Sequence, residues 1–139
     1  MANNRAAIRS ALANMLSGET AAEANVYPYR ETNLWRSELP AILIYTNQEP
    51  AIPESLRGAR YIRTLELTVE VRVEKGDSES VDDAVDTLLA EIETLVLADS
   101  SIGGTVLSTT QTNTEIRVDS DADRDIGVGV LTFECKYVS

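Results

Sequence analysis

Residues 61–73 read YIRTLELTVEVRV, and this stretch decides the fold. From position 65 to position 73 every odd residue is Leu or Val, and every even residue is Glu, Thr or Arg. Side chains of a strand alternate between its two faces, whereas a helix would spread these apolar residues around its circumference. The pattern therefore predicts a long strand with one apolar and one polar face. Because a typical strand has about 5–6 residues, we expect this one to project beyond the domain and to pair with another chain.

Two other stretches have apolar residues at helical spacing. Residues 5–16 predict a first helix, and Gly18 fits a left-handed cap at its end. Residues 80–99 predict a second helix, because Ser80 is a good N-cap and its first turn is acidic. Arg5 and Arg9 lie near the start of the first helix, where the helix dipole disfavours positive charge. Either they make a contact elsewhere or they are solvated, and we expect solvation.

The remaining segments predict more strands. Residues 26–29 fit a short edge strand ended by Pro28, residues 41–46 an interior strand, and residues 126–138 a closing strand. Gly127 and Gly129 in the closing strand indicate a bulge or a close backbone approach. Residues 47–58 read as a loop, since prolines interrupt them.

One predicted strand differs from the rest. Residues 105–118 are rich in Thr, which favours strands. Residues 108–114 are polar on both faces, so we expect them to be solvated or at a subunit contact. The fold class predicted from all these elements is α+β. It is a single small domain over residues 1–139, with a mixed, mostly antiparallel sheet of four to five strands packed against two helices.

Composition excludes several function classes. The net charge of −11 is a poor surface for gripping nucleic acid, because phosphate binding relies on Lys and Arg. The chain has no histidine, so the common general base and metal ligand is missing. Its single cysteine, Cys135, lies in an apolar strand and is expected to be a buried, inert thiol. We expect a non-enzyme without cofactors. No apolar run approaches the ~20 residues that span a bilayer, so a soluble, cytosolic chain without a membrane partner is expected.

The only array with metal-like spacing is Asp119, Asp121, Asp123 and Asp125. Calcium loops place oxygen ligands at alternate residues. The match fails at two positions: Arg124 stands where a calcium loop needs its turn glycine, and Val130 stands where it needs its distal glutamate. A solvated acidic hairpin turn is the better interpretation, and no metal site is predicted.

Partner contacts are expected at five residues: Arg30, Trp35, Arg57, Arg60 and Arg63. The first two lie in a long connector over residues 19–40, and Trp and Arg are enriched in interface anchors. Trp35 can equally fold back as a lid on the core. The other three arginines cluster at the entry of the long strand. They suit either an anionic partner surface or carboxylates of the protein itself.

Several phrases of the sequence resemble the tail terminator proteins of long-tailed phages and prophages, which are ring-forming tail completion proteins. The phrases span nearly the whole chain and are structural rather than catalytic. They lie at residues 5–16, 26–30, 38–46, 63–71, 81–86 and 131–137.

The resemblance implies a structural virion protein that forms a hexameric ring on the end of the tail tube. Such a ring stops tube polymerisation and provides the surface to which the head docks. The implied partners are further copies of the chain, the tail tube protein and head–tail connector proteins, with DNA only as cargo passing through the lumen. The implied location is the virion tail, after assembly in the cytoplasm of the bacterial host.

Three alternatives remain open, the first a variant of what the resemblance implies and the other two from the residues. The protein is a head–tail neck completion protein, or an acidic metal-binding module or hydrolase that uses the aspartates of residues 119–125, or an accessory domain that adds a strand to a partner sheet.

Overall fold

The computed structural model describes residues 4–29, 39–53, 61–74, 80–121 and 124–138 of the 139-residue chain. Within these ranges there are two helices and six strands. In chain order they are α1 (Asn4–Leu16), β1 (Val26–Tyr27), β2 (Ala41–Thr46), β3 (Ala51–Pro53), β4 (Tyr61–Glu74), α2 (Val81–Ala98), β5 (Ser108–Asp121) and β6 (Arg124–Val138). The predicted α+β class is confirmed.

The strands form one mixed sheet in the order β1-β2-β4-β6-β5, and β3 pairs with β4 outside this path. The β1–β2 pair is parallel, and every other pair is antiparallel. The predicted short edge strand at residues 26–29 is confirmed as β1. β5 and β6 form a long hairpin whose pairing continues to Asp121 and Arg124, which confirms the hairpin predicted around the aspartates.

β4 is the central strand, and the expectation that it projects beyond the domain is wrong. One of its edges pairs with β6 from Ile62 to Glu74. Its other edge pairs with β2 and, further back, with β3. The sequence predicted only a loop at residues 47–58, but β3 lies within it and continues the line of β2. Both edges of β4 are therefore occupied within the subunit.

Both helices pack on one face of the sheet and bury the predicted apolar stripes. Ser80 caps α2 by accepting a hydrogen bond from the backbone N–H of Asp83, at 3.1 Å. Gly18 follows α1 with φ of 78°, the left-handed conformation expected of a C-terminal glycine. The core between helices and sheet is formed by Ile8, Leu12, Leu16, Ile42, Ile44, Leu65, Leu67, Val69, Val71, Val85, Leu88, Ile92, Ile102, Leu131 and Phe133.

Gly127 and Gly129 of β6 lie directly under α2, so the close backbone approach predicted for them is confirmed. A Cβ added at Gly127 would lie 2.8 Å from Val85 Cγ2, and one at Gly129 would lie 2.8 Å from Val85 Cγ1. The bulge lies elsewhere, between Gln111 and Asn113 of β5. The glycines let α2 sit close to β6.

The second face of β4 is less exposed to solvent than the alternation of apolar and polar residues predicts. Thr68 and Glu70 are on this face, yet both are buried, and Glu70 is only 6% exposed. The Tyr45 hydroxyl donates to Glu70 at 3.0 Å, and Arg72 Nε donates to it at 2.6 Å. Polar neighbours on adjacent positions thus satisfy a carboxylate that the sequence pattern placed in water.

Candidate functional site

Glu49 lies in the link between β2 and β3 and is the centre of a charged cluster. Its side chain is 5% exposed. Arg5 of α1 donates to both carboxylate oxygens, from Nη2 at 3.0 Å and from Nε at 3.3 Å. Arg63 of β4 donates to Oε1 at 3.2 Å, and the Tyr137 hydroxyl of β6 donates to Oε2. One carboxylate therefore joins α1 and two strands.

The electrostatics of this cluster hold Glu49 in its charged form. Burial raises the pKa of Glu49, but the hydrogen bonds from Arg5 and Tyr137, the charge of Arg5 and the hydrogen bond from Arg63 outweigh it. The pKa of the Glu49 carboxyl therefore lies below its usual range. Burial and the adjacent Glu49 raise the pKa of Tyr137 to about 12. The cluster therefore holds a charged carboxylate between α1, β4 and β6.

A polar pocket of about 340 Å³ adjoins the cluster and is lined by Arg5, Thr46, Asn47, Gln48, Glu49 and Leu65. Two of its amide side chains are hydrogen-bonded to β4. Asn47 donates to Glu66 and Thr68, and Gln48 donates to Glu66. The two amides therefore hold the link between β2 and β3 against β4.

Of the five predicted partner-contact residues, Arg63 alone lies within the described ranges. It binds Glu49 of the same subunit, and its guanidinium lies over the Tyr61 ring at 5.3 Å from the centroid. This matches the alternative in which the arginines bind the protein's own carboxylates. Arg30, Trp35, Arg57 and Arg60 lie outside the described residues.

The expectation that Arg5 and Arg9 are solvated is wrong, because both side chains make contacts within the subunit. Arg5 binds Glu49, as described above. Arg9 donates to the Thr46 hydroxyl at 3.2 Å and to the Pro28 carbonyl at 3.3 Å. Both side chains therefore reach from α1 to the edge of the sheet, and these contacts offset the unfavourable position on the helix dipole.

The candidates for metal and thiol chemistry give no site in the described part of the chain. No cluster of three or more His, Cys, Asp or Glu residues suited to a metal ion occurs there. The side chains of Asp119, Asp121, Asp123 and Asp125 lie outside that description. Cys135 is fully buried and free, and burial raises the pKa of its thiol, as expected of an inert cysteine.

The outer edge of β5 is the most extensive candidate interaction surface, and we name it the β5 edge. Across the described ranges, β5 pairs with β6 alone. Every side chain from position 110 to position 118 is exposed, which agrees with the expectation of a solvated or subunit-contact strand. Ile116 and Val118 are 44% and 48% exposed.

The two edges of the sheet differ in how they are protected. β1 at one edge has two residues and is followed by Pro28, a residue that cannot donate to a further strand. β5 at the other edge has 14 residues and no proline, and its protection consists of a single bulge and charged side chains such as Glu115 and Arg117. Natural edge strands are usually short or carry such residues, because a long open edge is a template for another chain.

No model of a known protein family matches this sequence, and neither does any curated protein. None of the helices described here is long and apolar enough to cross a membrane.

Proposed function

We propose that this protein is a structural subunit of a phage or prophage tail. It forms a ring, in the form of a hexamer, on the end of the tail tube. The ring stops polymerisation of the tube protein and offers the docking surface for the head through its connector proteins. The protein acts in the virion tail after assembly in the bacterial cytoplasm.

Two features of the chain support the proposal. The sequence phrases that resemble tail terminator proteins include much of α1, β2, β4 and β6, which are the elements that build the core. The fold is a small α+β domain, the class that the resemblance implies.

The observation that carries the proposal is the β5 edge. An open strand of 14 residues with exposed Ile116 and Val118 is more interaction surface than an isolated domain usually retains. A subunit of an assembly retains such an edge because another chain covers it. β4 was the strand first expected to provide this contact, and β5 replaces it since both edges of β4 are occupied.

A ring repeats one heterologous contact until it closes, so each subunit needs two different complementary surfaces.

The net charge supports the same proposal. A chain with a net charge of −11 also suits a channel through which DNA passes, because a strongly acidic surface does not retain phosphates.

Tube-length measurement tests the proposal. The native chain is mixed with the tail tube protein of the same genome during polymerisation, and tube lengths are measured by electron microscopy. We expect short tubes that carry a ring at one end. Tubes of unregulated length without end rings would contradict the proposal.

A pair of lysine variants tests the role of the β5 edge in this activity. Ile116→Lys puts a charge on the open edge, the device by which natural edges resist strand addition. Thr87→Lys adds the same charge to an exposed position on α2. We expect the first variant to lose control of tube length and the second to keep it. Equal activity of the two would show that the β5 edge does not contact the ring or the tube.

A further inference from the structure

The central segment of the β5 edge carries opposite charges two residues apart. Glu115 and Arg117 flank Ile116, and all three side chains are exposed. Glu115 lies opposite Val130 and Arg117 opposite Val128 in β6, so both point to the sheet face away from the helices. Ile116 lies opposite Gly129 and points to the helix face. The edge therefore combines an open backbone with a short, ordered charge pattern.

We propose that β5 pairs antiparallel with β5 of a second copy of this chain, about a two-fold axis at Ile116. In this register Ile116 lies opposite Ile116 of the second copy. Glu115 lies opposite Arg117 of the second copy, and the symmetry repeats that pair. Thr114 lies opposite Val118 of the second copy, also twice. The two sheets then join into one continuous sheet with the helices of both copies on the same face.

Side chains on both faces of the paired strands are complementary. On the helix face, the exposed apolar surface of Ile116 and Val118 is covered by β-branched partners, which pair well across strands. On the other face, both charged positions meet the opposite charge. Cross-strand pairs of both kinds stabilise antiparallel sheets.

Neighbouring registers are less favourable, so the charge pattern specifies this one. A slip of two residues in one direction places Glu115 opposite Glu115 of the second copy, and a slip in the other direction places Arg117 opposite Arg117. A slip of one residue turns one copy over and sets Ile116 against a charged side chain. Among registers that differ by up to two residues, the one centred on Ile116 is therefore the one that opposes Glu115 and Arg117.

This pairing goes beyond the proposed ring and is a different kind of contact. A two-fold pairing is isologous and stops at two copies, whereas a ring needs a heterologous contact. A paired β5 edge is also unavailable to a tube or a neighbouring ring subunit. The dimer is thus a form of the free subunit, and its test requires no tail components.

Charge reversal provides the test, by sedimentation equilibrium of the full chain at about 0.15 M salt. At that ionic strength the Debye length is about 8 Å, so the net charges of the two copies are screened while adjacent pairs persist. We expect a dimer for the native chain. Glu115→Arg and Arg117→Glu each oppose like charges at two positions and are expected to weaken the dimer about tenfold or more.

Complementation then identifies the register. The double variant Glu115→Arg/Arg117→Glu restores opposite charges at both positions and is expected to regain the native dissociation constant. An equimolar mixture of the two single variants is expected to form the mixed dimer. Glu19→Arg makes the same charge change at an exposed residue after α1, and we expect native dimerisation from it. Circular dichroism checks that every variant is folded.

Four outcomes would overturn the pairing. One is a native chain that dimerises more weakly than about 1 mM. Another is a control variant, Glu19→Arg, that weakens dimerisation as much as Glu115→Arg does. The third is a mixture of single variants that stays monomeric. The fourth is a native hexamer unaffected by any of these changes, which would mean that the ring forms through a surface other than the β5 edge.

Discussion

β4 and β5 each contain 14 residues, yet β4 lies at the centre of the sheet and β5 at its edge. β4 has an unbroken apolar face from Leu65 to Val73 that packs under the helices. β5 is polar on both faces over most of its length, and its side chains are exposed. Strand length alone therefore does not identify an interaction surface. A strand that is polar over most of its length gains little from lying under the helix layer, and no other strand in the described ranges pairs with its outer edge.

Amide hydrogen exchange should give the largest contrast between the two strands. The amides of β4 are expected to exchange only through global unfolding, which corresponds to about 5–15 kcal/mol in a typical domain. In β5, residues of an antiparallel pair alternate between bonded and outward positions. Alternate amides from 113 to 118 are therefore expected to exchange nearly as fast as free peptide in dilute protein.

The same exchange experiment can show that the outer edge of β5 is covered. Uniform protection along β5 at low concentration would mean that another part of the subunit covers the β5 edge. A rise in protein concentration should slow exchange of the outward amides if a second copy pairs there. β4 serves as the internal control, because its protection should not depend on concentration.

Core truncation should give the next largest effect. Leu67 of β4 is fully buried between helices and sheet, and Leu67→Ala is expected to lower the free energy of unfolding by about 2–5 kcal/mol. Ile116→Ala in β5 removes a half-exposed side chain, and we expect a loss below about 1 kcal/mol. Urea unfolding of both variants measures the difference. Similar losses would mean that Ile116 belongs to the core of the folded subunit.

Most elements of the fold follow from local patterns in the sequence. The alternation of residues 65–73 predicts β4, and the stripe after Ser80 predicts α2, because both depend on near neighbours in the chain. The pattern cannot reveal what lies across the second face. Glu70 reads as solvated, but Tyr45 of β2 satisfies it from 25 residues away. Such pairings depend on strand register, which a single sequence does not display.

The charged cluster was not predicted, for a similar reason. Arg5 and Glu49 are 44 residues apart, and Tyr137 is 88 residues from Glu49. The only signal was Arg5 itself, a cation at the unfavourable end of a helix. By contrast, the polar run of β5 predicted its own exposure, since a strand without an apolar face has nothing to bury.

The Glu49 cluster gives a third contrast, because it holds the start of β4 while Glu115 on β5 is exposed. Glu49→Gln removes the charge that three side chains bind, and we expect a loss of about 1.5–3 kcal/mol at pH 7. Glu115→Gln in dilute protein is the matched control and should change stability by less than about 0.5 kcal/mol.

The pH dependence of this loss follows from the pKa of Glu49. The folded pKa lies below the ordinary value of 4.5, so the unfolded chain binds the proton more tightly. The stabilisation is complete above pH 4.5 and is lost as pH falls through the folded pKa. The difference between the native chain and Glu49→Gln should therefore narrow in urea titrations below pH 4.5. A difference that stays constant would mean that packing, not charge, explains the loss.

The smallest contrast concerns Gly129 of β6, because this residue lies between the two strands and directly under α2. It lies opposite Val71 of β4 and Ile116 of β5. A methyl group at Gly129 would lie 2.8 Å from Val85 Cγ1, so Gly129→Ala is expected to cost about 1–3 kcal/mol. Thr114→Ala, on the same face of β5, is the control and should change stability by less than about 0.5 kcal/mol.

A double-mutant cycle with Val85→Ala sharpens that test. Val85→Ala removes Cγ1, the atom nearest to a Cβ at Gly129, so the double variant should be more stable than the sum of the single losses predicts by about 0.5–3 kcal/mol. Additive losses would mean that α2 shifts as a unit instead of meeting the methyl group. In that case the position of α2 would not depend on the glycines, and the exposure of β5 would follow from its polar faces alone.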